Sequence, residues 1–157
     1  NELKNSGRIE ESLAAKYKTF LENDCEGYKA EKGRDIAGFA FVQKSGFYNF
    51  GKKGGFNIPN NISVLKNLYV LPEFRGESIG KNLNIARLAG IPKNQAPIGF
   101  VVSDNRYAVR NLKMYGFTEH LKIRITTWFN RWTSQKVVAI LNDNQITNQI
   151  IKGLVKA

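Results

Sequence analysis

The chain has 157 residues, about one ordinary domain, and its 42% hydrophobic and 24% charged residues suit a globular protein with its own core. With 14 Gly, 4 Pro and no short repeat it is neither collagen-like nor low in complexity; no apolar run approaches the ~20 residues of a membrane helix, and one Cys and one His argue against a disulfide framework or a structural zinc site. The net charge is +11 and uneven: residues 1–43 carry seven Lys/Arg against eight Asp/Glu, residues 44–157 seventeen against five.

Residues 9–22 have apolar positions at Ile9, Leu13, Tyr17, Phe20 and Leu21, the steps of an amphipathic helix. Gly27 to Lys32 and Asp35 to Gln43 predict a hairpin turning at Gly33-Arg34. Residues 44–62 are rich in Gly and carry Phe47, Tyr48, Phe50 and Phe56; they predict a long loop, of a kind that is often functional. Val64 to Leu71 is the next strand, followed by Pro72, a turn over Arg75 to Gly80, and a helix to about Ala89 that Gly90 and Pro92 stop. The continuous apolar run Ile98 to Val102 predicts a strand buried on both faces. Ser103 and Asp104 offer caps for a helix with Ala108, Leu112 and Tyr115 on one face, ending at Gly116. Leu121, Ile123 and Ile125 alternate with Lys122, Arg124 and Thr126 in a strand. A turn around Asn130-Arg131 leads to a last strand ending near Leu141. Asn142 or Asp143 then caps a final helix with Ile146, Ile150, Ile151 and Leu154 inward. The order predicts one α/β (α+β) domain on a mixed sheet, without an internal boundary.

The segment Leu68 to Lys81 carries the most chemistry. A strand ends, the chain turns through small residues, and a helix begins. Consecutive N–H groups in such a turn converge, and the helix N-terminus adds positive partial charge, so phosphates are the natural ligand. Gly76 and Gly80 let the backbone approach a ligand, and Arg75 and Lys81 add full charges. The spacing is neither GxGxxG nor that of a P-loop.

These residues resemble a known family. Leu68-x-Val70-x-Pro72-x-Phe74-Arg75-Gly76-x-x-Ile79-Gly80, over about 64–90, looks like motif A of the GNAT acyltransferase superfamily. Asn105-x-x-Ala108 followed by Tyr115-Gly116-Phe117, over about 98–117, looks like motif B. The resemblance covers about residues 9–141. It implies a mostly antiparallel mixed sheet flanked by helices, and an acyl-CoA, by expectation acetyl-CoA, as co-substrate with no metal. It further implies that Leu68, Tyr69 and Val70 pair with the pantetheine arm. Arg75, Gly76, Glu77, Ser78, Ile79, Gly80 and Lys81 would hold the pyrophosphate, and Asn105 would reach the pantetheine or acyl end.

The chain departs from the family pattern in places. Ser78 replaces a motif glycine and serves if its φ stays negative. Leu112 stands where many members place a Tyr general acid, and Phe100 where some place a Glu base. The candidate substitutes are Tyr115, otherwise a core aromatic; His120, whose parity with Lys122 and Arg124 puts it on the polar face; and Ser103 as a hydrogen-bond donor. Glu73 reads as solvent-facing. Residues 1–8 do not read as the first strand of the family's fold, and the chain opens on Asn, so that strand is either cut away or absent.

Three functions are consistent with this reading. The first is acyl transfer from acyl-CoA to an amine, on a small molecule or a protein, by direct attack in a ternary complex. The second is an acyl-CoA-binding or sensor module without transfer, which Leu112 favours. The third is a basic nucleic-acid-binding domain, for which only the mixture of basic and aromatic residues at 44–56 speaks. A variant of the first has an acidic carrier protein deliver the acyl group to the basic part of the chain. A cytoplasmic location without a membrane partner is expected. The loop 44–62, with Lys44, Lys52 and Lys53, is expected over the acceptor end of the cleft.

Overall fold

A computed structural model describes residues 11–22, 25–50, 54–128 and 132–154. In chain order these form α1 (Glu11–Glu22), β1 (Cys25–Lys32), β2 (Asp35–Gln43), β3 (Phe47–Asn49), β4 (Gly55–Asn57) and β5 (Ile62–Val70). There follow a 3-10 turn (Pro72–Phe74), α2 (Ile79–Ala89), β6 (Ala96–Gly99), α3 (Arg106–Met114), β7 (Leu121–Trp128), β8 (Trp132–Ile140) and α4 (Gln145–Gly153). Residues 9–10 and the turn at Asn130-Arg131 lie outside the described residues.

The main sheet has the order β1-β2-β5-β6. β1, β2 and β5 are antiparallel neighbours, and β5 and β6 run parallel. β2 lies inside the sheet and is buried from Ala37 to Gln43, because helices cover both of its faces. On one face α1 seats Tyr17 and Phe20 against Phe39 and Phe41, with ring centroids 4.6 Å apart for Tyr17–Phe39 and 5.4 Å for Phe20–Phe41. On the other face α2 packs so closely that a Cβ at Gly38 would stand 3.2 Å from Leu83, and it would also meet the Tyr69 carbonyl of β5 at 2.8 Å. That position must stay glycine.

The parallel pairing of β5 and β6 covers only Ile62–Leu65 against Ala96–Gly99. Beyond it β5 continues for five residues to Val70 while β6 stops. The expected doubly buried strand through Val102 is therefore corrected: Val101 and Val102 are 43% and 70% exposed. β6 is the sheet edge, and its pairing ends where β5 diverges. A bulge helps to steer β5 away. Phe41 pairs with Lys66 and Ala40 with Leu68, which leaves Asn67 unpaired at φ +30°.

Residues 44–62 do not form an open loop. They contain the β3–β4 hairpin, and their aromatics build a second core. Phe56 is fully buried among Ile58, Ile62, Val64 and Ile150. Phe50 and Phe56 stand 4.7 and 5.3 Å from the Phe100 ring. Burying these rings offsets the entropy of closing a long connection. Lys44, expected to face an acceptor, instead pairs with Glu26 at 2.7 Å and bonds the Gly90 carbonyl at 3.1 Å. Lys52 and Lys53 lie outside the described residues.

β7 and β8 form a separate two-stranded ribbon, tied to β4 by Gln135 Nε2 donating to the Gly55 carbonyl at 2.9 Å. Both expected caps move along the chain. Asn105, rather than Ser103 or Asp104, caps α3, its Oδ1 accepting from Ala108 N–H at 3.0 Å. Asn144, rather than Asn142 or Asp143, caps α4 through Thr147 N–H at 2.9 Å. In each case the cap is the residue whose side chain reaches a first-turn N–H that lacks a helical acceptor.

Candidate functional site

The site begins where β5 leaves the sheet. Leu71 N–H donates to the Ala37 carbonyl at 3.0 Å, so that residue faces β2. By alternation along an antiparallel strand, Tyr69 faces β2 as well, whereas the backbone groups of Leu68 and Val70 face the edge that β6 has left. Of the three strand residues expected to pair with a ligand, Leu68 and Val70 are the two turned to the open edge. The Val70 carbonyl there accepts from Arg75 Nε at 3.2 Å.

The turn follows directly. Phe74 N–H bonds the Leu71 carbonyl, Arg75 N–H bonds the Pro72 carbonyl, and α2 makes its first bond from Asn82 N–H to the Ser78 carbonyl at 3.0 Å. Between these lie six consecutive residues, Gly76 to Lys81. Among the described residues no group accepts from their N–H groups. Gly76 has φ +89° and Ser78 φ +60°. Left-handed residues two apart curl the backbone so that its N–H groups point inward, a nest for an anion. The condition that Ser78 keep a negative φ is not met. Ser78 is the N-cap of α2 in left-handed conformation, its side chain caps nothing, and the conformation costs about 1 kcal/mol. Open space lies in front of Gly76, with no atom within 4 Å of where its Cβ would stand.

The charges around the nest are arranged unequally. Glu77, the one acid in the turn, is held by Lys32 Nζ at 2.6 and 2.8 Å. That exposed pair contributes little stability, but it neutralises the carboxylate beside the nest. The Arg75 guanidinium stands 5.8 Å from the Tyr69 ring centre, at the strand end. Lys81 is exposed on the first turn of α2.

A polar seam joins α2 to α3 behind the nest. Asn84 Nδ2 donates to Asn111 Oδ1 at 2.7 Å, and Arg87 Nε donates to Asn84 Oδ1 at 2.8 Å. Arg87 Nη1 points to the Lys66 carbonyl at 3.5 Å, just before the bulge. Arg87 is only 5% exposed, and burial pushes its pKa down to about 10, so it is still charged at neutral pH. Tyr115 OH donates weakly to the Lys81 carbonyl at 3.4 Å. Asn84, Arg87 and Asn111 were missed by motif reading. The available signal was polar residues beside Leu83 at helical spacing on an inward face.

The other expected residues fall in different places. Leu112 packs over Gly99, where an added Cβ would meet it at 3.1 Å, and so closes the groove with apolar carbon. Phe100 belongs to the aromatic core. Asn105 Oδ1 is engaged in capping α3. His120 is not a surface residue of a polar strand face. It is half-buried, with Nδ1 3.1 Å from Thr147 Oγ1 and 3.2 Å from Asn144 Nδ2, and Nε2 3.3 Å from Thr118 Oγ1. Its carbonyl also accepts from Leu141 and Asn142, so it holds the start of α4. Ser103 is exposed beside α3. Tyr115, His120 and Ser103 thus make their contacts at three separate points of the fold.

No family model and no curated protein matches the sequence. Solved structures match in fold. The ribosomal-protein-S18-alanine N-acetyltransferase of Escherichia coli superposes at TM-score 0.51 and 20% identity, over 68% of this chain and 63% of that one, so this chain spans under two thirds of that enzyme's length. AAC(6')-Iy, in complex with a CoA bisubstrate analogue, gives 0.54 and 21%, over 80% and 83%. A mutant of the BH1408 protein of Bacillus halodurans gives 0.55 and 13%, over 81% and 84%. The chain therefore has the GNAT acetyltransferase fold that its two motifs resemble.

Proposed function

We propose that the protein is an acyl-CoA-dependent N-acyltransferase, with acetyl-CoA as the donor and an amine as the acceptor. The carrying observation is the nest: six N–H groups without acceptors among the described residues, open space before Gly76, and a strand edge released by β6 that leads to it. The residues present fit the co-substrate. Gly76 to Lys81 would hold the pyrophosphate, with Arg75 and Lys81 adding charge, and the Leu68 and Val70 backbone would align the pantetheine arm. Bound acyl-CoA supplies the activated thioester. The chain's part is positioning: the groove fixes the donor carbonyl so that a neutral amine can approach it. The amine forms the new C–N bond, the C–S bond breaks, and the proton lost by nitrogen leaves to solvent while the thiolate departs.

Leu112 offers no proton for that thiolate, and Tyr115, whose OH donates to the Lys81 carbonyl, is the phenol carried by the α2–α3 seam. An amine acceptor agrees with the structural neighbours, one named for a protein alanine and one for an aminoglycoside. Delivery by an acidic carrier protein finds no support among them. The second reading, acyl-CoA binding without transfer, is favoured by Leu112 alone.

Calorimetric titration of CoA and acetyl-CoA tests the binding claim, and thiol release on adding amine acceptors separates the two readings. Absence of CoA binding at millimolar concentration refutes both. Binding without thiol release from any amine tested favours the sensor.

A further inference from the structure

The outer side of α3 takes no part in the groove. Asn111 and Tyr115 reach α2, and Leu112 reaches Gly99. Arg106, Val109, Arg110 and Lys113 recur at three- and four-residue steps on the opposite side of the helix. With Ser103 and Met114 they line an open depression of about 480 Å3. The helix carries three cations and no acid, and like charges four apart weaken a helix rather than support it. Lys113 is tied to Glu119 at 2.8 Å. Among the described residues no carboxylate is within ion-pair distance of Arg106 or Arg110. Tyr107 and Met114 are 83% and 73% exposed and, seven residues apart, lie on the same flank of the cations, while Val109 lies on the other.

We propose that this face docks an acidic amphipathic helix of a protein partner. Carboxylates at helical spacing on such a helix would meet Arg106 and Arg110, and its apolar stripe would cover Tyr107 and Met114 beside them. A single-stranded nucleic acid is the poorer fit, because this face offers one exposed ring, Tyr107, where successive bases stack on several. The proposal does not rest on acyl-CoA binding, since the face lies on the far side of α3 from the nest.

The test is fluorescence anisotropy on the whole chain, with a fluorescein-labelled amphipathic peptide of Glu and Leu as probe and a labelled oligouridylate as competitor. We expect saturable peptide binding that weakens with salt, is unchanged by added acetyl-CoA, and falls about tenfold or more in Arg106→Glu/Arg110→Glu. Arg106→Lys/Arg110→Lys, a control for folding and charge, should retain most of the affinity. Absence of peptide binding, equal affinity in the Glu variant, or displacement of the peptide by oligouridylate through the same two residues would each overturn the proposal.

Discussion

Replacing Gly76 with Val isolates the nest from the rest of the fold. Gly76 has φ +89°, and no atom lies within 4 Å of an added Cβ, so the effect of Val is on the backbone and not through a clash. A β-branched residue there costs about 1–2 kcal/mol, which for a domain of this size lowers Tm by roughly 2–8 °C. The chain can escape the strain by rotating the peptide between residues 75 and 76, which carries the Gly76 N–H. That rotation turns an N–H out of the nest. A charge-assisted hydrogen bond is worth about 1.5–3 kcal/mol, so losing that one would weaken CoA by roughly tenfold to a hundredfold. Calorimetry for CoA and a thermal melt, run on the same preparation, read the two effects separately. If Gly76→Val shows the melting shift but keeps wild-type CoA affinity, the nest is not the phosphate site and the reasoning fails.

Ser78→Gly should relieve the left-handed strain and leave the melting temperature within a few degrees of wild type, with CoA affinity kept; a tenfold loss of affinity would instead assign the Ser78 hydroxyl a direct contact. Leu112→Tyr should leave acyl transfer unchanged or faster, read as thiol release; a slower variant would show that the leucine itself is needed. Phe56→Ala should cost about 3–5 kcal/mol in denaturant unfolding, and replacing residues 47–57 with a Gly-Ser bridge should unfold the domain; a folded, active deletion would contradict the second core. The Lys44 ammonium, then the Tyr28 hydroxyl, hold the Glu26 carboxyl below its ordinary value. A lowered carboxylate pKa adds stability above the unfolded pKa and loses it as pH falls through the folded one, so Glu26→Gln should flatten the acid side of the stability–pH curve. An unchanged curve would show that this exposed pair does nothing measurable.

The groove-forming parts of the fold were legible because their signals are local. The hairpin turn at Gly33, the strand into Pro72 and the helix stop at Gly90 follow from turn and cap chemistry, and the first motif put a strand–turn–helix connection over residues 68–81. What stayed hidden depends on partners distant in sequence. Val101 and Val102 look like a buried strand until β6 is seen to lose its neighbour at Gly99. The aromatics of 44–62 look like a loop's decoration until Phe100 and Ile150 arrive to bury Phe56. His120 follows the parity of a polar strand face, yet α4 folds back and hydrogen-bonds its ring. Asn84 and Arg87 carry no motif and gain meaning only when Asn111 and the Lys66 carbonyl are brought to them.

The most direct measurement is an amide NMR titration with CoA. The account predicts that the N–H resonances of Gly76 through Lys81 move together and saturate, and that those of Leu68 and Val70 follow. The outer face of α3, at Arg106 and Arg110, should stay still. Saturable shifts confined to α3 or to the β7–β8 ribbon, with the turn unmoved, would contradict the claim that this turn is the acyl-CoA site.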